Sequence, residues 1–270
     1  MITKIGIVGC GTIGSQIAQA VKRDFSKHAK ISALYDIDLS KAEKLALSLG
    51  VKNPVVKSLK ALIEKCDLVI EAASGKISAG VASAAIKHKK DCMIMSVGGL
   101  LSAPEIFNLA RKNACSIYIP SGAICGLDGL KAHRLANIRK VMLTTRKPPK
   151  ALTGAPYIIE KKIDLGNIKS ETEIFKGTAQ EAVKYFPQNI NVAAALSLCG
   201  IGKEKTMVRI VSSPDYTGNT HEIEIESDAG RTFIRCENYP SPDNPKTSYL
   251  AILSAIATLR GIFESVKVGT

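Results

Sequence analysis

The sequence predicts an α/β protein: a doubly wound parallel sheet, followed by a second α+β domain whose sheet is mainly antiparallel. Three observations carry this. Through the first 120 residues, short and mostly apolar strands alternate with helical patterns, as expected for strands covered by helices on both faces. A glycine-rich turn, Gly9-Cys10-Gly11-Thr12-Ile13-Gly14, joins the first strand to the first helix. Beyond Pro120 the strands alternate apolar with polar residues, the pattern of an antiparallel sheet with one wet face.

Taken in order, residues 4–8 form the first strand. The glycine turn leads into an amphipathic helix with Ile13, Ile17, Ala20 and Val21 on one side. Residues 31–35 are a second strand ending at Asp36, and 40–49 a helix with Ser40 as its N-cap. Helices are expected at 58–65, 77–87 and 103–112, with strands at 68–72, 92–96 and 116–119. Residues 121–129 are small and glycine-rich, a composition that lets a backbone approach a ligand.

Alternating strands then fall at 141–146, 207–212, 221–227 and 232–237, and helices at 178–185 and 192–198. The last helix is expected to start at Pro245-Lys246-Thr247-Ser248 and to run to about 263, with Tyr249, Ile252, Ile256, Leu259 and Phe263 in one stripe. The expected division is 1–120 and 121–245, with a C-terminal helix within 246–270 packing back on the first domain.

Composition narrows the function classes. A chain of 270 residues, 46% hydrophobic and 23% charged, buries an ordinary globular core. No apolar run has the length of a membrane span, and the N-terminus reads directly as a strand instead of a secretory leader, so a cytoplasmic protein without membrane association is expected. The seven cysteines are scattered without a Cys-x-x-Cys pair, which fits reduced thiols and no metal centre. The net charge of +13 raises nucleic-acid binding as a possibility. However, the lysines are dispersed along helices, aromatics are scarce and there is no tryptophan to stack bases. Solvated helix faces that attract anionic small molecules are the better reading.

The glycine turn has the Gly-x-Gly-x-x-Gly spacing, follows a strand and opens a helix. Asp36 ends the next strand, roughly 20 residues past Gly14. In this Rossmann arrangement Gly9 makes the tight turn, Gly11 admits the pyrophosphate, and Gly14 lets the helix pack on the strand. The N-terminal helix turn at Thr12 and Ile13 favours the diphosphate charge. Asp36 accepts hydrogen bonds from the adenosine ribose diol, which favours NAD over NADP; Asp38 is a rival for that role, and the dispersed lysines keep NADP as the alternative. The bland alternative, a glycine turn with no cofactor, fits this full context poorly.

Of the four histidines, His28 and His88 sit among lysines near helix ends, and His133 follows the glycine-rich segment on a helix. His221 begins the strand His221-Glu222-Ile223-Glu224-Ile225-Glu226 and shares a face with Ile223 and Ile225. From pattern alone, a structural core histidine is favoured over a catalytic one. Asn189 and Asn191 precede an apolar helix, as N-caps or as partners for a ligand carboxamide. Lys246, Thr247 and Ser248 read as a capped helix start or as an anion site for a substrate carboxylate.

Several longer segments carry a resemblance: Ser121-Gly122-Ala123-Ile124, Phe186-Pro187-Gln188-Asn189-Ile190-Asn191-Val192-Ala193-Ala194, Asn219-Thr220-His221-Glu222 and Asn244-Pro245-Lys246-Thr247-Ser248-Tyr249-Leu250. With these in order, the chain resembles the L-aspartate dehydrogenase family over nearly its whole length; Cys125 departs where a glycine is common. The resemblance implies that His221 is the active-site residue and that Ala123 and Asn191 contact NAD. It implies oxidation of L-aspartate by NAD(P) to iminoaspartate and then to oxaloacetate and ammonia, a place in NAD biosynthesis, and a homodimer. A histidine of ordinary pKa (~6.5) could orient the substrate or activate water near neutral pH. The alternatives are another two-domain NAD(P) oxidoreductase, homoserine-dehydrogenase-like or dihydrodipicolinate-reductase-like, and a non-catalytic dinucleotide-binding regulator. The reductase type typically carries a His-His pair with a nearby lysine, which this sequence lacks.

Overall fold

A computed structural model describes residues 2–187 and 190–269, apart from the side chain of Lys246. The chain divides into two compact units, one of residues 1–120 and 252–267, the other of residues 121–251 and 268–270.

In the first unit the elements are β1 (Thr3–Val8), α1 (Thr12–Asp24), β2 (Ala29–Tyr35), α2 (Leu39–Leu49), α3 (Leu59–Lys65), β3 (Leu68–Glu71), α4 (Gly75–Lys87), β4 (Asp91–Ile94), α5 (Glu105–Asn113) and β5 (Ile117–Tyr118). The strands make one parallel sheet in the order β2-β1-β3-β4-β5. Alternate residues of the buried strands feed separate cores on the two faces. Ile5, Ile7 and Ile70 pack with Ile17 and Val21 of α1 and Leu45 and Leu49 of α2. Val8, Val69 and Ile94 pack with Leu62, Val81, Ala85 and Ile106 from α3, α4 and α5. This is the doubly wound Rossmann-type sheet that the apolar strands predict. Because the strand order reverses direction between β1 and β3, the carboxyl ends of those two strands border the crevice where such sheets bind ligands.

The second unit holds α6 (Leu127–His133), β6 (Ile138–Lys147), α7 (Pro156–Glu160), β7 (Thr172–Thr178), α8 (Ala179–Tyr185), α9 (Asn191–Cys199), β8 (Met207–Ser212), β9 (Asn219–Ser227), β10 (Gly230–Asn238), β11 (Pro240–Ser241) and β12 (Asn244–Ser248). Its sheet runs β10-β9-β6-β8-β7, antiparallel at every junction except β6 with β8. One face is dry: Val141, Leu143, Ile210, Ile223 and Ile225 pack with Ala182, Phe186, Val192 and Leu196. On the other face Glu222 pairs with Arg146 and Arg235, Glu224 with Lys140, and Glu226 with Arg139 and Arg231. The alternation of apolar residue and glutamate along β9 therefore sorts them between core and charged surface, as its period of two requires.

The final helix, α10 (Tyr249–Phe263), passes from the second unit into the first, where Ala255 and Leu259 join the core beside α1 and Phe263 lies 5.7 Å from Phe25 between ring centroids. Its start differs from the sequence expectation. Residues 244–248 form β12, paired with β11 around Pro242-Asp243. Pro245 disfavours a helical conformation at Asn244, so the hairpin takes the residues that read locally as a helix cap. Tyr249, expected on the packed stripe, is exposed. The N-cap of α2 is Asp38, whose carboxylate accepts the N–H and hydroxyl of Ser40; Ser40 itself lies inside the helix. The cysteines among the described residues are all free, and no group there could hold a metal ion. No described helix is long and apolar enough to cross a membrane.

Candidate active site

Two glycines of the first loop are required for steric reasons, and a third lies open. Gly9 has φ +94°, and a Cβ on it would stand 2.6 Å from the carbonyl oxygen of Ala72, after β3. A Cβ on Gly14 would lie 1.9 Å from the carbonyl oxygen of Gly9, so α1 could not approach the turn. A Cβ on Gly11 would meet nothing within 4 Å: its bare backbone faces open space. Thr12 and Ile13 begin α1, whose first turn carries no acidic residue, so the positive end of the helix dipole is left for an anion.

Asp36 stands at the end of β2. Its Oδ2 accepts the N–H of Cys10 at 2.7 Å and its Oδ1 the N–H of Asp38 at 2.9 Å. Each carboxylate oxygen keeps acceptor capacity for a ribose hydroxyl. Asp38, the rival, spends its carboxylate on capping α2. An open backbone at Gly11, a helix N-terminus and an oriented acid at Asp36 are groups that fit a dinucleotide.

Glu71 was not singled out from sequence, although a glutamate closing the apolar run Leu68-Val69-Ile70 is a signal. It is wholly buried at the end of β3. Its Oε1 accepts from the N–H groups of Ala73 and Ser74 at 2.8 and 3.0 Å and the Ser96 hydroxyl at 2.9 Å, while Oε2 accepts the Ser96 N–H at 3.0 Å. Burial pushes its pKa above the ordinary glutamate value, against these hydrogen bonds. One carboxyl group thus ties together the loops after β3 and β4, and the first of these abuts Gly9.

In the second unit His221 is 5% exposed, on the dry face of β9. Its Nδ1 lies 2.9 Å from Thr145 Oγ1, directly opposite in the β6–β9 register. Burial, and then the positive charge of Lys147, push its pKa down to about 3. The ordinary value expected from sequence does not hold, because the ring is dry and has a cation beside it. Lys147 is only 2% exposed, and burial lowers its own pKa to about 8. The sequence pattern hides it: with the strand ended at 146, the alternation Val141, Leu143, Thr145 stops one step short of Lys147, whereas β6 includes that residue.

The other expected residues are placed as follows. Ala123 is buried, and its carbonyl accepts from Asn238 Nδ2 at 3.0 Å; Asn238 Oδ1 in turn accepts from the Ser248 hydroxyl at 2.8 Å. Asn191 is exposed at the first position inside α9 and is not its cap, a place held by Ile190. Asn189 lies outside the described residues, as does the Lys246 side chain. Thr247 and Ser248 belong to β12, and Ser248 contributes to the Asn238 network instead of offering a free helix start. His133 is structural: its ring nitrogens lie 2.7 Å from Ser227 Oγ and 2.8 Å from Thr232 Oγ1. His88 Nδ1 lies 2.8 Å from the Ala84 carbonyl, and His28 stacks on Phe263.

Residues 128–262 match the family model described as aspartate dehydrogenase, C-terminal, and residues 9–120 match that described as homoserine dehydrogenase, NAD binding domain. The chain is 47% identical to an L-aspartate dehydrogenase of Methanosarcina mazei, over 99% of each chain. It is 39% identical to one of Bradyrhizobium diazoefficiens, over 99% of this chain and 94% of that one. Among solved structures, aspartate dehydrogenase from Thermotoga maritima superposes with a TM-score of 0.74 at 26% identity, covering 100% of both chains. A homoserine dehydrogenase from Thiobacillus denitrificans shares the fold, with a TM-score of 0.60 at 15% identity over 97% of this chain and 74% of that one.

Proposed function

The chain belongs to the L-aspartate dehydrogenase family, and from that premise we propose that it is an NAD(P)-dependent L-aspartate dehydrogenase. L-Aspartate loses a hydride from Cα and a proton from its amino nitrogen to give iminoaspartate; water adds to the imine, and ammonia leaves oxaloacetate. The bound dinucleotide supplies the hydride acceptor. The observation that carries the reading is the presence, in one chain, of a dinucleotide cradle with Asp36 and a buried His221 aligned by Thr145.

Residues 1–120 form the dinucleotide-binding domain in this reading. Gly9, Gly11, Thr12, Ile13 and Gly14 hold the diphosphate, and Asp36 selects the unphosphorylated ribose of NAD over NADP. Ala123 and Asn191 are assigned to dinucleotide contact, and residues 121–245 to substrate binding, catalysis and dimer formation. If Nδ1–H of His221 donates to Thr145 Oγ1, the Nε2 lone pair is left to take the proton of the water that attacks the imine. An uncharged imidazole is the form this requires, and burial beside Lys147 provides it at neutral pH. A dicarboxylate arriving there opposes the charge of Lys147 and raises the basicity of His221 as the substrate binds. The enzyme is assigned to the cytoplasm as a homodimer, feeding NAD biosynthesis.

The test is to mix the purified protein with oxaloacetate, ammonia and NADH or NADPH and to follow cofactor oxidation. Turnover, faster with NADH, is expected. Dinucleotide binding without turnover of either cofactor would overturn the reading in favour of a non-catalytic regulator.

A further inference from the structure

We propose that Cys125 and Cys236 are a redox pair, which a small-molecule disulfide closes into a reversible cysteine–cysteine bond beside His221 that slows turnover. The bond is independent of the aspartate reading above; only its effect on rate rests on that reading. Local packing makes the pair. Residues 123–126 lie along β10, and alternate residues of that strand meet them. The Ala123 carbonyl accepts from Asn238 Nδ2 at 3.0 Å. A Cβ on Gly126 would stand 2.1 Å from Ile234 Cδ1, so no side chain separates backbone from strand there. Cys125 falls between these two contacts, as Cys236 falls between Ile234 and Asn238. Cys236 Sγ is accordingly within hydrogen-bonding reach of both the N–H and the thiol of Cys125. In the register of β9 with β10, Cys236 stands directly opposite His221, on the same face of the sheet.

The two thiols differ in access. Cys125 is exposed and Cys236 buried, and both are free. Among the described residues, the thiols of Cys10, Cys66, Cys115 and Cys199 instead donate to backbone carbonyls. The exposed Cys125 thiolate attacks one sulfur of the oxidant, breaking its S–S bond and releasing one thiol. The Cys236 thiolate then attacks Cys125 Sγ in the mixed disulfide and releases the second thiol. Two cysteine protons pass to the two departing thiolates; the cysteines lose two electrons and the oxidant gains them. Burial pushes the Cys236 thiol above its ordinary pKa, against the N–H of Cys125, so Cys236 is the later partner to react. A covalent S–S bond is shorter than the thiol hydrogen bond it replaces. Closing it draws residues 123–126 against β10 at the level of His221, and a shift of about 1 Å near a reacting group can cost about 10²-fold in rate. The exposed Cys125 sulfur gives a reducing thiol access to the bond, so the step reverses.

The experiment treats reduced protein with oxidised glutathione, then alkylates and digests it without reduction for mass spectrometry, with turnover followed in parallel. A peptide pair joined through Cys125 and Cys236 is expected. Turnover should fall about 10- to 100-fold as the link forms and return with dithiothreitol. Cys125→Ser and Cys236→Ser should each lose the link and keep their own turnover in oxidant, while Cys115→Ser, in the first unit, should behave as wild type. Cys125→Ser alters an exposed position and gives the same reading should Cys236→Ser not fold. Glutathione left on Cys125 with no joined peptide would overturn the pair, and a joined peptide with unchanged turnover would overturn its control of rate. A reduced wild type that turns over neither aspartate nor oxaloacetate refutes the aspartate reading, and the peptide masses then decide the bond by themselves.

Discussion

The Oδ2 atom of Asp36 accepts the N–H of Cys10 at 2.7 Å, so the acid proposed to read the ribose also anchors the glycine loop proposed to hold the diphosphate. Asp36→Asn keeps one acceptor oxygen but presents an amide N–H₂ where a second acceptor stood. NAD affinity is expected to fall about tenfold, with NADP affinity falling less. Fluorescence titration with both dinucleotides checks this, and an unchanged NAD:NADP ratio would separate Asp36 from ribose selection.

His221→Ala removes the proposed proton acceptor without touching the first unit. Dinucleotide binding should persist while kcat drops ~10²–10⁴-fold. Near-normal turnover would return His221 to the structural role that its strand pattern alone suggests.

The depressed pKa of His221 also makes a stability prediction. Between its unperturbed value of 6.5 and about 3 the unfolded chain binds a proton that the folded chain does not. Stability therefore rises with pH across that window and is lost as acid is added. In His221→Asn the denaturation midpoint should depend less steeply on pH in this range. Lys147 acts in the same sense between about 8 and 10.5, where its contribution also grows with pH. An acid limb as steep in His221→Asn as in wild type would mean that the imidazole is already charged in the fold.

Glu71→Gln replaces a carboxylate that accepts four hydrogen bonds with an amide that must turn N–H groups toward donors. A loss of about 1–3 kcal/mol in unfolding free energy is expected. Because the loop after β3 abuts Gly9, a weakened dinucleotide affinity should accompany it. Full affinity in a destabilised variant would confine Glu71 to folding.

What the sequence reveals here is mostly local. The strand, glycine turn and helix at the N-terminus were legible because Gly9, Gly14 and Asp36 each answer a short-range steric or hydrogen-bonding need. The face of His221 was legible because β9 alternates strictly. Its neighbours were not: Thr145 and Lys147 meet it through strand pairing across some 75 residues of sequence, and register leaves no local mark. The helix start placed at 245–248 failed for a related reason, since pairing with β11 outweighs the local cap signal. Glu71 carried a readable oddity, a charge in an apolar strand, whose meaning depended on loops brought together by the sheet.

The return of α10 to the first unit has a consequence for synthesis. Residues 252–267 follow the whole second unit along the chain, yet Ala255 and Leu259 complete the core against α1 and β1. A nascent chain emerging from the ribosome can pair β1 through β5 early, but it leaves an apolar flank uncovered until residues 252–267 appear. The second unit, by contrast, has nearly all its residues in one continuous stretch and can close first. A stop codon just before residue 252 would spare every residue assigned to chemistry and still leave the nucleotide fold without its final wall.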